Sequence, residues 1–294
     1  MEAKPSIDSL TEELLSRCNF GGGADWHRCG VSGGADSVAM LWLATQADLD
    51  VEAVYIDHGT RKTASEEATF VSEIARRFGA RFSSVKVEVD ATSDLEQQWR
   101  IARHDALGPN AMLGHTADDQ AETVLINLMR GAGVSGMAGI EPGPRHPIVS
   151  LRRSDTEAIC EALGIEPFVD PSNKDPKHQR NRVRSELLPL LNEISQRDCV
   201  PSLNRTARHC QSVSDFIKKS SIDIDAADTR SVSQLPEPVA AHVLREWLRD
   251  ELGHPISSAE LTRVLEVVNH KVIACEISGG RRIARTDGVL RVET

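Results

Sequence analysis

One short loop constrains the fold of this chain more than any other feature. Ser32 to Ser37, SGGADS, follows a stretch that ends at Val31 and leads at once into an apolar run that can form a helix. Small residues between a strand and a helix let backbone N–H groups approach an anion, and the helix adds the positive end of its dipole. The loop therefore predicts an anion-binding turn at the carboxyl end of a strand.

The first half of the chain alternates between strand-like and helix-like stretches. Strands are predicted at 51–56, 82–89 and 111–114, and helices at 63–79, 93–107 and 117–130. This alternation predicts an α/β fold with a doubly wound parallel sheet and helices on both of its faces. The strand before the loop is a weak candidate, because His27 and Arg28 stand where a buried strand usually has apolar residues.

The second half is predominantly helical after a proline-rich loop near Gly139. A helix is predicted at 154–163, with Ser154 as its N-cap and Glu157 at the capping-box position. We predict a large domain at 1–219, an acidic linker at 220–238 and a small α+β domain at 239–294.

Composition narrows the class of protein. Apolar residues make up 40% of the chain and charged residues 27%, which is typical of a soluble globular protein. No apolar run is long enough to span a membrane, and the N-terminus does not resemble a secretory signal, so we expect a cytoplasmic protein without a membrane partner. The six cysteines form no C-x-x-C pair, which argues against a zinc ribbon, an iron–sulfur site or a disulfide scaffold.

The net charge of −10 disfavours nucleic-acid binding, but the charge is unevenly distributed. Residues 177–184 carry four formal positive charges and no acid: Lys177, Arg180, Arg182 and Arg184. Such a patch can bind phosphates on an acidic protein, because salt limits the reach of each charge to about 8–10 Å. From charge alone, a solvated helix face is the better-supported interpretation.

Asp36 carries the wrong charge to attract a phosphate by itself. A carboxylate in a phosphate-binding loop makes chemical sense if it binds Mg²⁺, which prefers carboxylate and phosphate oxygens. We therefore predict Asp36 as a metal ligand, with helix capping as a compatible alternative. The loop is not a Walker A motif, because no Gly-Lys-Ser/Thr follows it.

SGGADS resembles the pyrophosphate-binding loop of the PP-loop ATPases, which cleave ATP between the α- and β-phosphates. Further segments resemble, in order, the motifs of the tRNA(Ile)-lysidine synthetase family: Tyr55–Arg61, Gly114–Thr123, Arg130–Ile140, Asp170–Asn173 and Arg180–Pro189. The resemblance covers about residues 25–200. The chain departs from the family pattern at Thr116, where a second histidine is frequent, and at His104, where a tyrosine is frequent.

The resemblance implies an adenine nucleotide alpha hydrolase-like fold and a ligase. Such an enzyme joins free L-lysine to the wobble cytidine of the isoleucine tRNA with a CAU anticodon. ATP first adenylates the cytidine and releases pyrophosphate, and the lysine ε-amine then displaces AMP. The product changes the codon from AUG to AUA. ATP, Mg²⁺, lysine and the tRNA are the implied ligands, and a homodimer is left open.

The resemblance also implies roles for single residues. The ATP-binding set is Ser32, Gly33, Gly34, Ala35, Asp36, Ser37, Tyr55, Asp57 and His58. Asp119 and Glu122, at i and i+3 on one helix face, are expected to bind lysine, and one of them to accept a proton. An acidic first turn favoured by the helix dipole is the alternative. Asp118 points elsewhere and is expected to cap the helix. His115 is expected to contact the nucleotide or the adenylate, and Arg100 a phosphate or a base, with a surface salt bridge as the alternative for Arg100. The expected catalytic residues are Asp36, Arg100, His115, Asp119 and Glu122.

The resemblance implies a function for the basic residues. The tRNA-binding set is Arg130, Lys177, Arg180, Arg182 and Arg184, in the helical part that starts near residue 150. On a helix Arg180 and Arg182 diverge by about 200°, so one of them is expected to pair with Asp170 or Glu186. Competing interpretations are another PP-loop tRNA-modifying ATPase and a non-catalytic RNA-binding relative.

Overall fold

The computed structural model describes residues 6–22, 26–57, 64–87, 98, 102, 104–168 and 178–293. Predictions that involve His58, Arg100, Lys177 and the loop 170–173 lie outside these residues. The chain forms two compact units, Met1–Gln211 and Ser212–Thr294. Within the described ranges, no helix is both long enough and apolar enough to cross a membrane.

A four-stranded sheet lies at the centre of the first unit, in the order β3-β2-β1-β4. Its strands are β1 (His27–Gly30), β2 (Val51–Asp57), β3 (Arg81–Lys86) and β4 (Met112–Leu113). Every neighbouring pair is parallel, which confirms the predicted parallel sheet. The chain proceeds outward from β1 to β3 and then returns to the other side of β1, so the order reverses between β1 and β4. Ligands of open α/β sheets bind at this reversal point, beyond the carboxyl ends of the strands.

The helices of the first unit surround this sheet. They are α1 (Ile7–Leu15), α2 (Ala35–Gln46), α3 (Ala64–Arg77), α4 (Ala117–Met129), α5 (Val134–Met137), α6 (Arg153–Ala162), α7 (Gln179–Arg182), a π-helical turn (Val183–Leu187), α8 (Leu188–Ser195) and α9 (Val200–Lys219), within which the division between the units falls. The helix α2 is buried along most of its length, and α6 packs against it. This packing sets α6 beside the loop that precedes α2.

The strand β1 is central despite its polar residues. The Arg28 guanidinium donates to the carbonyl oxygens of Ala106 and Leu107 at 3.1 and 3.0 Å, and its Nε lies 3.3 Å from a carboxylate oxygen of Glu52. Cys29, the next residue along the strand, is fully buried. A charged residue is tolerated here because its donors find partners.

The prediction for the start of α6 is wrong. The helix begins at Arg153, and Ser154 lies inside its first turn. The Asp155 carboxylate, rather than Glu157, accepts the Arg152 N–H at 2.8 Å. A carboxylate oxygen of Asp118, on α4, accepts the N–H of Arg153 at 2.8 Å. A long-range contact therefore satisfies a donor of this helix end, which the local pattern could not indicate.

The second unit contains α10 (Thr229–Ser233), α11 (Glu237–Leu252), α12 (Ser258–Val268) and the antiparallel strands β5 (Ala274–Ile277), β6 (Arg281–Thr286) and β7 (Val289–Glu293). Its core includes the fully buried Leu244, Leu248, Val264 and Ile283. Val232 of α10 belongs to the same core. The segment 220–238, predicted as a linker, thus contains a helix that packs into this unit.

Candidate active site at the reversal point of the sheet

The loop after β1 has the shape that its sequence predicts. Gly33 has a φ of +85°, in the left-handed region that favours glycine. The Ser37 hydroxyl accepts the N–H of Ser32 at 3.2 Å and donates to the carbonyl of Gly34 at 2.9 Å, which closes the loop. Gly34 stands at the N-cap of α2 and has no side chain with which to cap the first N–H groups. Those donors point toward the space that an anion would occupy.

Two loops meet at Gly114. A Cβ atom on this residue would lie 3.0 Å from the backbone carbon and oxygen of Asp36. The absence of a side chain lets the loop after β4 approach the start of α2 this closely. The N-terminus of α4, with its carboxylates, is thereby held beside Asp36.

The Asp36 carboxylate is held by α6. Its Oδ1 accepts the hydroxyl of Thr156 at 2.5 Å, and its Oδ2 lies 3.6 Å from Nε of Arg153. Burial raises the pKa of Asp36 above its ordinary value, although Thr156 and Arg153 act in the opposite direction. A buried carboxylate of this kind gains stability when a cation approaches it.

Asp119 is buried at the start of α4. Its Oδ2 accepts the N–H of Thr116 at 2.8 Å, and its Oδ1 lies 3.3 Å from both Arg153 and Arg184. Burial acts to raise the pKa of Asp119, but Arg153 and the Thr116 N–H outweigh it, so this pKa lies below its ordinary value. Asp119 is therefore anionic at neutral pH.

Glu122, one turn further along α4, has a completely buried side chain. Its Oε2 accepts Nε of Arg180 at 2.9 Å, and its Oε1 accepts Nε of Arg184 at 2.6 Å. The Arg184 Nη2 is also 3.1 Å from Oε2, and Arg153 Nη2 is 3.6 Å from Oε1. Three carboxylates and three guanidinium groups thus form one cluster, the carboxylate cluster: Asp36, Asp119 and Glu122 with Arg153, Arg180 and Arg184.

Arg182 lies apart from this cluster. Its Nη2 is 2.9 Å from the Glu186 carboxylate, and 62% of its side chain is exposed. One of the two diverging arginines therefore pairs with Glu186, as the helical spacing predicts. Arg180 faces α4 instead. Two arginines of one basic segment therefore pair with a buried carboxylate and an exposed one.

The chain matches known proteins over most of its length. Residues 18–191 match the family model described as PP-loop domain. A tRNA(Ile)-lysidine synthase of Nocardia farcinica is 34% identical over 266 residues, covering 85% of this chain and 82% of the relative. A protein of the same name from Mycolicibacterium paratuberculosis is 35% identical over 267 residues, covering 84% and 82%.

This chain belongs to the tRNA(Ile)-lysidine synthase family of PP-loop proteins. A U34-tRNA thiolase from Methanococcus maripaludis shares the fold, with a TM-score of 0.53 and 16% identity over 69% of this chain and 79% of the thiolase. That likeness concerns the fold alone.

Other predicted site residues have different surroundings. Tyr55 is only 4% exposed, and its hydroxyl donates to the buried Glu67 at 2.9 Å. In this lysidine synthase family member, Tyr55 can offer a nucleotide only its backbone. Asp57 ends β2, and the His115 ring lies 5.0 Å from the His146 ring. Arg130 is exposed and donates to Gln179 at 3.2 Å.

The expectation that Asp118 caps α4 is wrong. Thr116 is the N-cap of α4, and the side chain of Asp119 completes its capping box. The Asp118 oxygens instead accept two N–H groups of the Arg152 guanidinium at 3.0 Å, and the backbone N–H of Arg153. Asp118 therefore caps α6. It fixes the position from which Arg153 reaches the carboxylate cluster.

Sequence reasoning did not identify Arg153 and Thr156 as site residues. One signal was present, because Arg152 and Arg153 stand at a helix start, where the dipole disfavours cations. Two arginines there indicate nearby acids. The acids lie far away in the sequence, since Arg153 contacts Asp119 across 34 positions and Thr156 contacts Asp36 across 120.

Proposed function

We propose that this protein ligates L-lysine to the wobble cytidine of the isoleucine tRNA that carries a CAU anticodon, and so changes its codon from AUG to AUA. ATP supplies the energy and is converted to AMP and pyrophosphate through an adenylated cytidine. Support comes from relatives of the same family, which carry the name tRNA(Ile)-lysidine synthase at 31–40% identity. The observation that carries the proposal is the juxtaposition of the phosphate-binding loop with the buried pair Asp119 and Glu122.

The loop suits the first half-reaction. Attack on the α-phosphate develops charge on the leaving pyrophosphate, and oriented N–H donors at the start of α2 can stabilise that charge. They are preorganised by the hydroxyl of Ser37 and by the left-handed Gly33. These donors need not reorganise during the reaction, and this is what makes such a site effective.

Mg²⁺ fits beside Asp36. Across the described ranges, no group of three or more His, Cys, Asp or Glu side chains could hold a metal ion by itself. Mg²⁺ usually takes one or two carboxylates and completes its shell with phosphate oxygens and water. Asp36, with its raised pKa, supplies such a carboxylate at the edge of the loop. When bound, the ion neutralises charge on the phosphates.

The carboxylates of α4 suit a cationic amino acid. Asp119 and Glu122 are buried acids on one helix face, and an ammonium group can pair with both. The lowered pKa of Asp119 makes it a poor proton acceptor, so its role is to bind the amino acid rather than to deprotonate it. The exposed Arg130 and Arg182 are assigned to tRNA phosphates.

Thiolation of tRNA has less chemical support. Burial raises the pKa of the Cys18 and Cys29 thiols to about 12 and that of Cys160 to about 11. A thiol with such a pKa is protonated at neutral pH and is a weak nucleophile. Lysine ligation requires no cysteine.

The deciding experiment is ATP-dependent incorporation of labelled lysine into unmodified isoleucine tRNA with a CAU anticodon. A methionine tRNA with the same anticodon serves as the control. Label in the isoleucine tRNA alone supports the substrate, the reaction and the specificity together. If ATP is cleaved to AMP and pyrophosphate with another acceptor, the assignment as an ATP-cleaving enzyme stands and lysine ligation is refuted.

A further inference from the structure

We infer that Arg180 and Arg184 act as internal cations on the carboxylates that bind lysine, and that RNA phosphates draw them away, so that RNA binding opens the amino-acid subsite. This inference rests on the proposed function and concerns the regulation of the same site. Binding of RNA, the anionic substrate, and binding of lysine, the cationic substrate, are then thermodynamically coupled through these two arginines.

The charges of the carboxylate cluster are already balanced. Each oxygen of Glu122 accepts a guanidinium N–H at 2.6 to 3.1 Å, and Oδ1 of Asp119 lies 3.3 Å from one guanidinium nitrogen of Arg153 and one of Arg184. A lysine ammonium brought to these oxygens would be a fourth cation among three guanidinium groups. Like charges at this distance in a buried site repel strongly, so lysine binding requires one or more arginines to leave.

Arg153 is the least suited to leave. Its backbone N–H is held by Asp118, and its guanidinium group contacts Asp36 as well as both acids of α4. Departure of Arg153 would remove its charge from all three acids. It is also the most buried of the three guanidinium residues, with 24% of its side chain exposed.

Arg180 and Arg184 are better placed to exchange partners. Their side chains are 42% and 33% exposed, so solvent reaches them from outside the cluster. They are four positions apart on one side of a short helical segment, and a π-helical turn at Val183–Leu187 carries Arg184. Single π-helical turns occur frequently at functional sites, where a small change in backbone pairing redirects side chains.

Phosphate is the chemistry that competes best for these groups. A guanidinium group binds phosphate through two parallel hydrogen bonds, as it binds a carboxylate. Neighbouring arginines are accessible for first contact with a polyanion, since Arg182 is 62% exposed and Arg130 contacts Gln179 at the start of the same segment. RNA docked on Arg130, which contacts the residue next to Arg180, would bring phosphates close to Arg180.

Linkage makes the effect reciprocal, because RNA must strengthen lysine binding by the same factor by which lysine strengthens RNA binding. For two exchanged ion pairs we expect a factor of about 10 to 100, within the usual range of such couplings. Because the arginines occupy the acids when no RNA is bound, the RNA-free enzyme binds lysine weakly.

The test uses the full chain without ATP, so that no lysine is consumed. Equilibrium dialysis with labelled lysine is performed alone and with saturating unmodified isoleucine tRNA. We expect the Kd for lysine to fall by about 10- to 100-fold with the tRNA. An unchanged Kd in an enzyme that still forms lysidine would overturn the inference and leave the proposed function intact. Failure to form lysidine would overturn both.

Variants identify the arginines responsible. Arg180→Gln and Arg184→Gln should bind lysine more tightly than the wild type without RNA, and should lose most of the RNA-dependent gain. Arg77→Gln is the control, because Arg77 donates to the carbonyl of Leu163 at 2.6 Å, away from the cluster, and is not assigned to the tRNA. Its RNA-free lysine affinity should equal that of the wild type. An equal effect of all three substitutions on that affinity would refute the assignment. The wild-type comparison remains decisive if a variant fails to fold.

Discussion

Glu122→Gln tests the carboxylate cluster most directly. The substitution keeps the shape of a completely buried side chain but removes its charge, and its new amide N–H₂ faces guanidinium donors. Glu122 accepts three charge-assisted hydrogen bonds at 2.6, 2.9 and 3.1 Å from two arginines. Loss of one member of a buried ion pair costs about 3–5 kcal/mol, because the other charges stay uncompensated. The free energy of unfolding should fall by that amount.

The assay is thermal unfolding of the full chain, followed by circular dichroism at neutral pH. For a unit of this size, a loss of about 3–5 kcal/mol lowers the Tm by about 6–20 °C. Glu186→Gln is the matched control, since Glu186 also pairs with an arginine but is half exposed, and its Tm should match the wild type. If the Tm of Glu122→Gln equals that of the wild type, the arginines do not pair with Glu122 as described, and the account of the carboxylate cluster is refuted.

Three further results are expected. Asp36→Asn should abolish tRNA-dependent pyrophosphate release while tRNA binding, measured by filter retention, stays within about twofold; full activity would exclude Asp36 from the reaction. Tyr55→Phe should lower the free energy of unfolding in urea by about 1–3 kcal/mol, because it removes one hydrogen bond to a buried carboxylate, and should leave the KM for ATP unchanged; a raised KM would show that the hydroxyl contacts the nucleotide. The pKa of Asp119 in the folded state lies below its value in the unfolded state, so its contribution to stability is present at neutral pH and is lost as the pH falls below about 4. Unfolding curves measured from pH 7 to 3 should therefore show less acid destabilisation in Asp119→Asn than in the wild type. Equal acid destabilisation in the two proteins would contradict this.

The sequence was sufficient for the elements that local pattern determines. Small residues between a strand and a helix indicated the loop at Ser32 to Ser37, and the i, i+3 spacing indicated that Asp119 and Glu122 share a face. Alternating elements indicated the parallel sheet. For the loop and the helix face, the deciding interactions lie within a few residues, so spacing carries the information.

The partners of charged residues could not be predicted in the same way. Arg180 and Arg182 are chemically identical and two positions apart, yet one binds a fully buried carboxylate and the other an exposed one. Arg28 is accommodated in a central strand because carbonyl groups 78 and 79 positions away accept its hydrogen bonds. Such pairings depend on tertiary packing, which the pattern of one segment does not encode.

The spacing of the Glu122 contacts has a consequence for biosynthesis. Its two arginine partners follow it by 58 and 62 positions. A ribosome adds residues in order, so the α4 acids leave the exit tunnel well before these cations are available to them. The nascent unit must carry Glu122 without those partners until Arg184 has been translated. Synthesis pauses between these codons would prolong the time for which Glu122 lacks these two partners.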